Sequence, residues 1–372
     1  MSIPNLRLGI QQRVLPLYRT GFFELLANSC GNGLSLFCGQ ARSIEAVQES
    51  SSLKNAELIR GRNLHLFSGS FYFCFQYGLL DWLKTWQPEI LLMEANPRYL
   101  STPSAIRWMQ RQKRPIIGWG LGAPEVHQKG FLAAMLQNSR HHLMQQFDAV
   151  ICYSQQGADE YKILGIPEDR IFIAPNAVSP KPVHPLPRRP DNFQNDQPNL
   201  LYIGRLQERK RLDMLIRACA GLPHNIQPRL QIIGDGPARE TLVNLAKDIY
   251  PKTEFPGAIH GIELESWFLK ADLFVLPGTG GLAVQQAMSF GLPVIVAEAD
   301  GTQSDLVRPQ NGWQIPPGGM NALQNSILEA LSDISSLRKR GIESFRIVNE
   351  EINLENMVQV FENTIQFVQE KK

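Results

Sequence analysis

Short apolar runs alternate with longer amphipathic segments along most of the chain. Leu6–Ile10, Leu34–Cys38, Ile90–Met93, Ile116–Gly118, Ala149–Cys152 and Ile171–Ala174 have the near-continuous hydrophobicity of strands buried on both faces. Among them, Tyr72–Trp86, Pro103–Gln112 and Gln128–Gln146 carry apolar residues at helical spacing and read as helices. Strand, helix and strand repeated in this way predict a parallel sheet covered by helices on both faces. A second series has strands at Leu200–Ile203, Leu230–Ile233, Leu273–Leu276 and Val294–Ala297. Its helices fall at Arg211–Gly221, Ala238–Lys247, Leu282–Phe290 and Asn321–Leu331. In Leu354–Gln369, residues Met357, Val358, Val360, Phe361, Ile365 and Val368 make one apolar stripe, predicting a helix that covers an apolar surface.

The two series are separated by Ser179–Asn199, where six prolines stand among polar and basic residues. Proline lacks an amide donor and disfavours helix in the residue before it, so the stretch reads as an extended linker. The expected division is residues 1–178, a linker over 179–199, a second domain over 200–350, and a terminal helical segment over 351–372. The fold class is α/β, with two doubly wound, Rossmann-like domains. Ligands of such sheets bind outside the carboxyl ends of the strands, so a cleft between the two sets of strand ends is the expected site.

A chain of 372 residues with 43% apolar and 19% charged residues suits two soluble globular domains. The formal charge of +2 calls for no polyanionic partner, and no nucleic-acid-reading motif occurs. Five scattered cysteines without CxxC spacing read as buried, reduced thiols. Met1–Ile10 lacks the basic-then-apolar pattern of a signal peptide, and no run approaches the roughly 18 apolar residues needed to span a bilayer. The expected compartment is the cytoplasm.

Three stretches carry candidate chemistry. In Leu200–Asp213, LLYIGRLQERKRLD, a strand ends at Ile203, Gly204 turns, and Arg205 and Lys210 follow around the loop into a helix. Cations at a strand's carboxyl end beside a helix N-terminus suit a diphosphate. In Ile232–Leu242, IIGDGPARETL, Gly234 and Gly236 permit tight backbone paths and Pro237 suits a first helical turn. In Ala271–Val296, ADLFVLPGTGGLAVQQAMSFGLPVIV, a glycine-rich loop from Pro277 to Gly281 leads from a strand straight into a helix, an arrangement that presents amides to an anion.

In this order and spacing, GRLQERKRLDMLI, IGDGPARETL, ADLFVLP, QAMSFGLPVI and the NGW at Asn311–Trp313 resemble glycosyltransferase family 4, the retaining enzymes of GT-B fold. FDAVICYS and IFIAPNAV are similar to segments that precede the linker in that family, and the last helix is similar to the family's return of the chain to the N-terminal domain. The resemblance implies a nucleoside-diphosphate sugar as co-substrate, with no cofactor and no metal. It places Arg205 and Lys210 on the diphosphate as leaving-group stabilisers, next to Gly204 and Gly234. The amides of Gly280, Gly281 and Leu282 would complete the phosphate cradle, and the loop of Gly257, Ala258 and Ile259 would face the base. The family's two glutamates, eight positions apart, are here Gly278 and Gln286. Gln286 retains an amide oxygen for a ribose hydroxyl. With no side chain at Gly278, the sugar is left to groups such as Thr279. Where many relatives have a histidine, GWGLG places Leu121, and His127 follows.

On the first domain, Gln11, Gln12 and Arg13 follow one strand, Glu94, Asn96 and Arg98 another, Tyr153 and Ser154 a third, and Asn176 a fourth. These are the acceptor-side candidates, with Glu94 the favoured carboxylate; each also fits loop capping. Arg107–Arg114, RWMQRQKR, suits either a solvated helix face or contact with an anionic membrane, which would fit a lipid-linked acceptor. The function expected is glycosyl transfer in polysaccharide or glycolipid assembly. The rivals are a non-catalytic nucleotide- or glycan-binding protein and a sugar-nucleotide epimerase.

Overall fold

The computed structural model describes residues 6–42, 45, 47–69, 72–122, 131–280, 283–298 and 302–371, with backbone alone at 131–137, 302 and 304. Two compact units make up the chain: Met1–Val178 with Leu354–Lys372, and Ser179–Asn353.

The first unit runs β1 (Leu8–Gln12), α1 (Thr20–Asn28), β2 (Leu34–Cys38), β3 (Glu57–Arg60), β4 (Arg62–Leu66), β5 (Phe73–Tyr77), α2 (Leu79–Trp86) and β6 (Ile90–Glu94). It continues with α3 (Thr102–Arg111), β7 (Ile116–Gly120), α4 (Phe131–Met144), β8 (Ala149–Cys152), α5 (Gln155–Ile163) and β9 (Ile171–Ile173). Among the described residues a parallel sheet has the order β3-β2-β1-β6-β7-β8-β9, with Leu8 of β1 opposite Leu34 on one side and Ile90 on the other. Strand order reverses between β1 and β6, the switch point at which doubly wound sheets bind ligands.

The second unit runs β10 (Asn199–Ile203), α6 (Leu212–Ala220), β11 (Arg229–Ile233), α7 (Arg239–Ile249), β12 (Thr253–Gly257), α8 (Ile262–Lys270) and β13 (Leu273–Leu276). Then come α9 (Ala283–Ser289), β14 (Val294–Ala297), α10 (Thr302–Leu306), β15 (Gly312–Ile315), α11 (Met320–Ser332) and α12 (Ile334–Arg346). Its sheet is ordered β12-β11-β10-β13-β14-β15, all parallel, and reverses between β10 and β13. The fold class is α/β.

Helix α13 (Leu354–Glu370) belongs to the first unit. Its apolar stripe is buried as the spacing predicts, Val360 alone being half-buried, and the Phe361 ring lies 4.8 Å from Phe22 and 4.9 Å from Trp119.

Two readings change. The helix expected over Tyr72–Trp86 is a strand and a helix joined at Gly78, whose φ of 86° breaks the path. Cys74 and Gln76 face inward, and β5 pairs antiparallel with β4, so alternation prevails over helical spacing. The proline-rich stretch packs as part of the second unit. Arg189, within it, donates to the carbonyl oxygens of Phe268 (2.8 Å), Leu269 (3.2 Å), Ala271 and Phe290 (3.0 Å).

Candidate functional site

In the second unit, the loops leaving β10, β11 and β13 interlock. Gly204 N–H donates to Ile233 O (3.0 Å), Leu206 N–H to Asp235 O (2.9 Å) and Gly234 N–H to Gly257 O (2.8 Å). This close approach requires glycine. Gly234 has a φ of 141°, and a Cβ there would collide with the Gly204 carbonyl oxygen. From below, Tyr202 supports the loop, its hydroxyl donating to Arg205 O at 3.2 Å.

The chain then makes a short turn, Glu208–Lys210, and Arg211 at a φ of 53° leads into α6. Arg205, Arg209 and Arg211 are exposed, whereas Lys210 is only 6% exposed. The Lys210 ammonium donates to Thr279 O (2.7 Å) and Gly280 O (2.9 Å), and Thr279 N–H donates back to Arg209 O (3.1 Å). The loops after β10 and β13 are thus sewn together at the switch point of the sheet. Burial, reinforced by the Arg209 charge, lowers the Lys210 pKa to about 8. A cation held by carbonyl dipoles, with no carboxylate paired to it among the described residues, retains attraction for an anion.

Gly204, Gly234, Lys210, Gly278, Thr279 and Gly280 are brought together, and Arg205 stands on the same loop. Half-buried Ile259 lies in the loop after β12, and half-buried Gln286 lies on α9. Gly281, Leu282 and His127 lie outside the described residues.

Two contributors escaped the sequence reading. Arg209 offers its carbonyl to the glycine-rich loop, and its guanidinium nitrogen NH1 would be 3.5 Å from a Cβ on Gly280. Gln285, buried beside Gln286, accepts from Ser179 N–H (3.2 Å) and donates to Ile352 O (2.6 Å). It thereby ties α9 to both points where the chain enters and leaves this unit. The run of basic residues after Gly204 signalled Arg209; nothing local signalled Gln285.

In the first unit the candidates fall into two groups at the carboxyl edge of the sheet. Glu94 accepts from Arg13 N–H (2.7 Å) and from the Tyr99 hydroxyl, while its own N–H donates to Gln11 Oε1 (3.1 Å). Burial pushes the Glu94 carboxyl up to about 7, against the opposing pull of Arg13 and Tyr99. Arg13 itself pairs with Glu45 at 2.8 Å. The second group centres on Arg19, a residue the motifs did not mark. It is 7% exposed and donates to Tyr153 Oη (3.2 Å) and Asn176 Oδ1 (2.8 Å), with its guanidinium 5.5 Å from the Trp119 ring centroid. Two others are local caps: Asn96 Oδ1 accepts from Arg98 N–H (3.0 Å), and Ser154 caps α5 by accepting from Gly157 N–H (3.1 Å). Arg98 and Leu121 are exposed.

Residues 186–346 match the family model for glycosyl transferases group 1. The match covers 161 of the 372 residues, all of them within the second unit. The matched segment holds the loops after β10, β11, β12 and β13 described above. Among curated relatives, sulfoquinovosyl transferase SQD2 of Arabidopsis thaliana is 35% identical over 127 residues, covering 33% of this chain and 24% of that protein. A GDP-mannose-dependent alpha-mannosyltransferase of Corynebacterium glutamicum is 31% identical over 233 residues, covering 59% of this chain and 53% of that one. The chain thus spans from about a quarter to about half the length of these relatives. Among solved structures, Anabaena HepE in complex with UDP superposes with a TM-score of 0.69 at 14% identity, over 96% of this chain and 99% of that one. Sucrose-phosphate synthase from Thermosynechococcus elongatus gives a TM-score of 0.67 at 19% identity, over 98% and 99%. The fold is the GT-B fold that these structures share. Among the described residues no helix is long and apolar enough to cross a membrane.

Proposed function

We propose that the protein moves a glycosyl unit from a nucleoside-diphosphate sugar to an acceptor hydroxyl, with retention and without a metal ion. The supporting observation is the sewn pair of loops at the β10/β13 switch point, where buried Lys210 lies between the glycine-rich loop and a rim of exposed arginines. Negative charge grows on the departing diphosphate in the transition state. Fixed cations there favour that state over the ground state. Arg205 and Lys210 supply this charge, while Gly280, Gly281 and Leu282 offer amides to the phosphates. Ile259 faces the base, Gln286 the ribose and Thr279 the sugar. The UDP complex of HepE and the GDP-mannose-dependent relatives support a nucleotide-sugar donor. Retention rests on the family 4 resemblance.

The acceptor belongs at the first unit's carboxyl edge, near Arg13, Glu94, Asn96, Arg98, Tyr153 and Asn176. Glu94 would accept a hydrogen bond from the acceptor hydroxyl. The relatives' names suggest polysaccharide or glycolipid assembly; the proposed setting is the cytoplasm, at a membrane face for a lipid-linked acceptor. The test is release of UDP or GDP from a panel of their sugars, with and without hydroxyl acceptors. Acceptor-stimulated release that falls at least about a hundredfold in Arg205→Ala supports the reading. Nucleotide binding with no turnover on any sugar would leave a binding protein in its place.

A further inference from the structure

The amino edge of the first unit's sheet holds a basin that the proposed transfer does not use. Pro115, Asp148 and Arg170 stand immediately before β7, β8 and β9 and form its floor. Phe367, Val368 and Lys371 of the C-terminal segment wall it, and Lys113 and Arg114 close the side. The cavity measures about 420 Å³, within the range of small-ligand pockets.

Its lining carries four cations, Lys113, Arg114, Arg170 and Lys371, against one carboxylate, Asp148. That carboxylate accepts from Ile116 N–H at 2.8 Å. Among the described residues Arg114 donates to neutral groups, Gln87 Oε1 (3.0 Å) and Pro88 O (3.1 Å), which leave its charge uncompensated. Lys371 is paired with Asp169 at 2.7 Å. Among the described residues the side chains of Lys113 and Arg170 have no hydrogen-bond or ion-pair partner, and Arg170 feels the Asp169 carboxylate only through space. Lys113 also sits at a φ of 54°, a conformation glycine or asparagine adopts more readily. A solvated basic face would scatter such charges over convex surface. Here they converge on a concavity with an aromatic wall.

We propose that this basin binds a phosphate monoester dianion, carried either by a lipid headgroup or by a soluble phosphate ester. Guanidinium and ammonium donors together satisfy several phosphate oxygens, and the partial enclosure strengthens each pairing relative to bulk water. The inference is independent of the transfer reaction.

The test uses the full chain with two probes: glycerol 3-phosphate by calorimetry, and phosphatidylcholine vesicles with and without phosphatidic acid by co-sedimentation. The wild type should bind at least one phosphate probe, more weakly as salt rises. Lys113→Gln/Arg170→Gln should lose roughly tenfold or more in affinity, about 1.4 kcal/mol, with an unchanged melting temperature. Lys113→Arg/Arg170→Lys should retain binding. Binding of glycerol 3-phosphate assigns a soluble ester; binding only to phosphatidic acid vesicles assigns a headgroup. The cationic loop after β10 also attracts phosphate, so Arg205→Ala/Lys210→Ala must keep this binding. The proposal is overturned if neither probe binds, if the Gln pair binds like wild type, or if the signal disappears only in the loop pair.

Discussion

Gly278 is packed directly on the backbone of Lys210: a Cβ built at Gly278 would lie 2.6 Å from Lys210 Cα and 2.5 Å from its carbonyl carbon. The position that resembles a glutamate site in family 4 therefore has no room for any side chain in this arrangement. The glycine at this position and the tight contact between the two loops are one feature. Moving the Lys210 backbone to admit a side chain would also disturb the Thr279 and Gly280 hydrogen bonds.

It follows that Gly278→Ala destabilises the protein by about 1–3 kcal/mol, as expected of forced overpacking. Nucleotide affinity falls with it. Gly278→Glu should not gain sugar contact or turnover; it should lose nucleotide binding as well. Thermal melting and calorimetry on both variants check this, and a Gly278→Glu enzyme with raised activity would show that the loops part readily.

Lys210 should make donor binding pH-dependent. Its pKa in the free protein is lowered to about 8, and the diphosphate prefers the protonated ammonium. Affinity for the nucleoside diphosphate is therefore full below about pH 8 and falls up to tenfold per unit above it. Arginine stays charged across this range, so Lys210→Arg should flatten the profile. Affinity measured between pH 6.5 and 9.5 decides the point; a wild-type profile flat to pH 9.5 would contradict it.

Glu94 should act on the acceptor alone. Its carboxyl is raised to about 7, so the charged form that accepts from a hydroxyl accumulates as pH rises through that value. Acceptor kcat/KM should rise over the same interval. Glu94→Gln should lower it by roughly tenfold to a hundredfold and remove the rise, with nucleotide affinity unchanged. A loss of nucleotide affinity in that variant would show a general structural role.

Much of the fold was legible because parallel strands covered on both faces are near-continuous apolar runs. Ala149–Cys152 and Leu273–Leu276 coincide with their observed strands. β12 was hidden because it lies at a sheet edge, with Glu254 exposed and a proline at 256, and shows no such run. β5 was misread because its aromatic run fits two periods until Gly78 breaks it. The glycine-rich loops announced themselves through tight turns beside cations. Arg19 did not: its partners Tyr153, Asn176 and Met357 are 134, 157 and 338 positions away. The same holds for the contact of Gly278 with Lys210, which arises only once strand order brings β10 and β13 side by side.

The central claim, a diphosphate site at the β10/β13 loops, is tested most directly by calorimetric titration of UDP and GDP in the presence of EDTA. The wild type should bind one of them with roughly micromolar affinity, about −8 kcal/mol, and Arg205→Ala/Lys210→Ala should lose at least about a hundredfold. Failure of the folded wild type to bind either nucleotide, or unchanged binding in the double variant, would contradict the assignment.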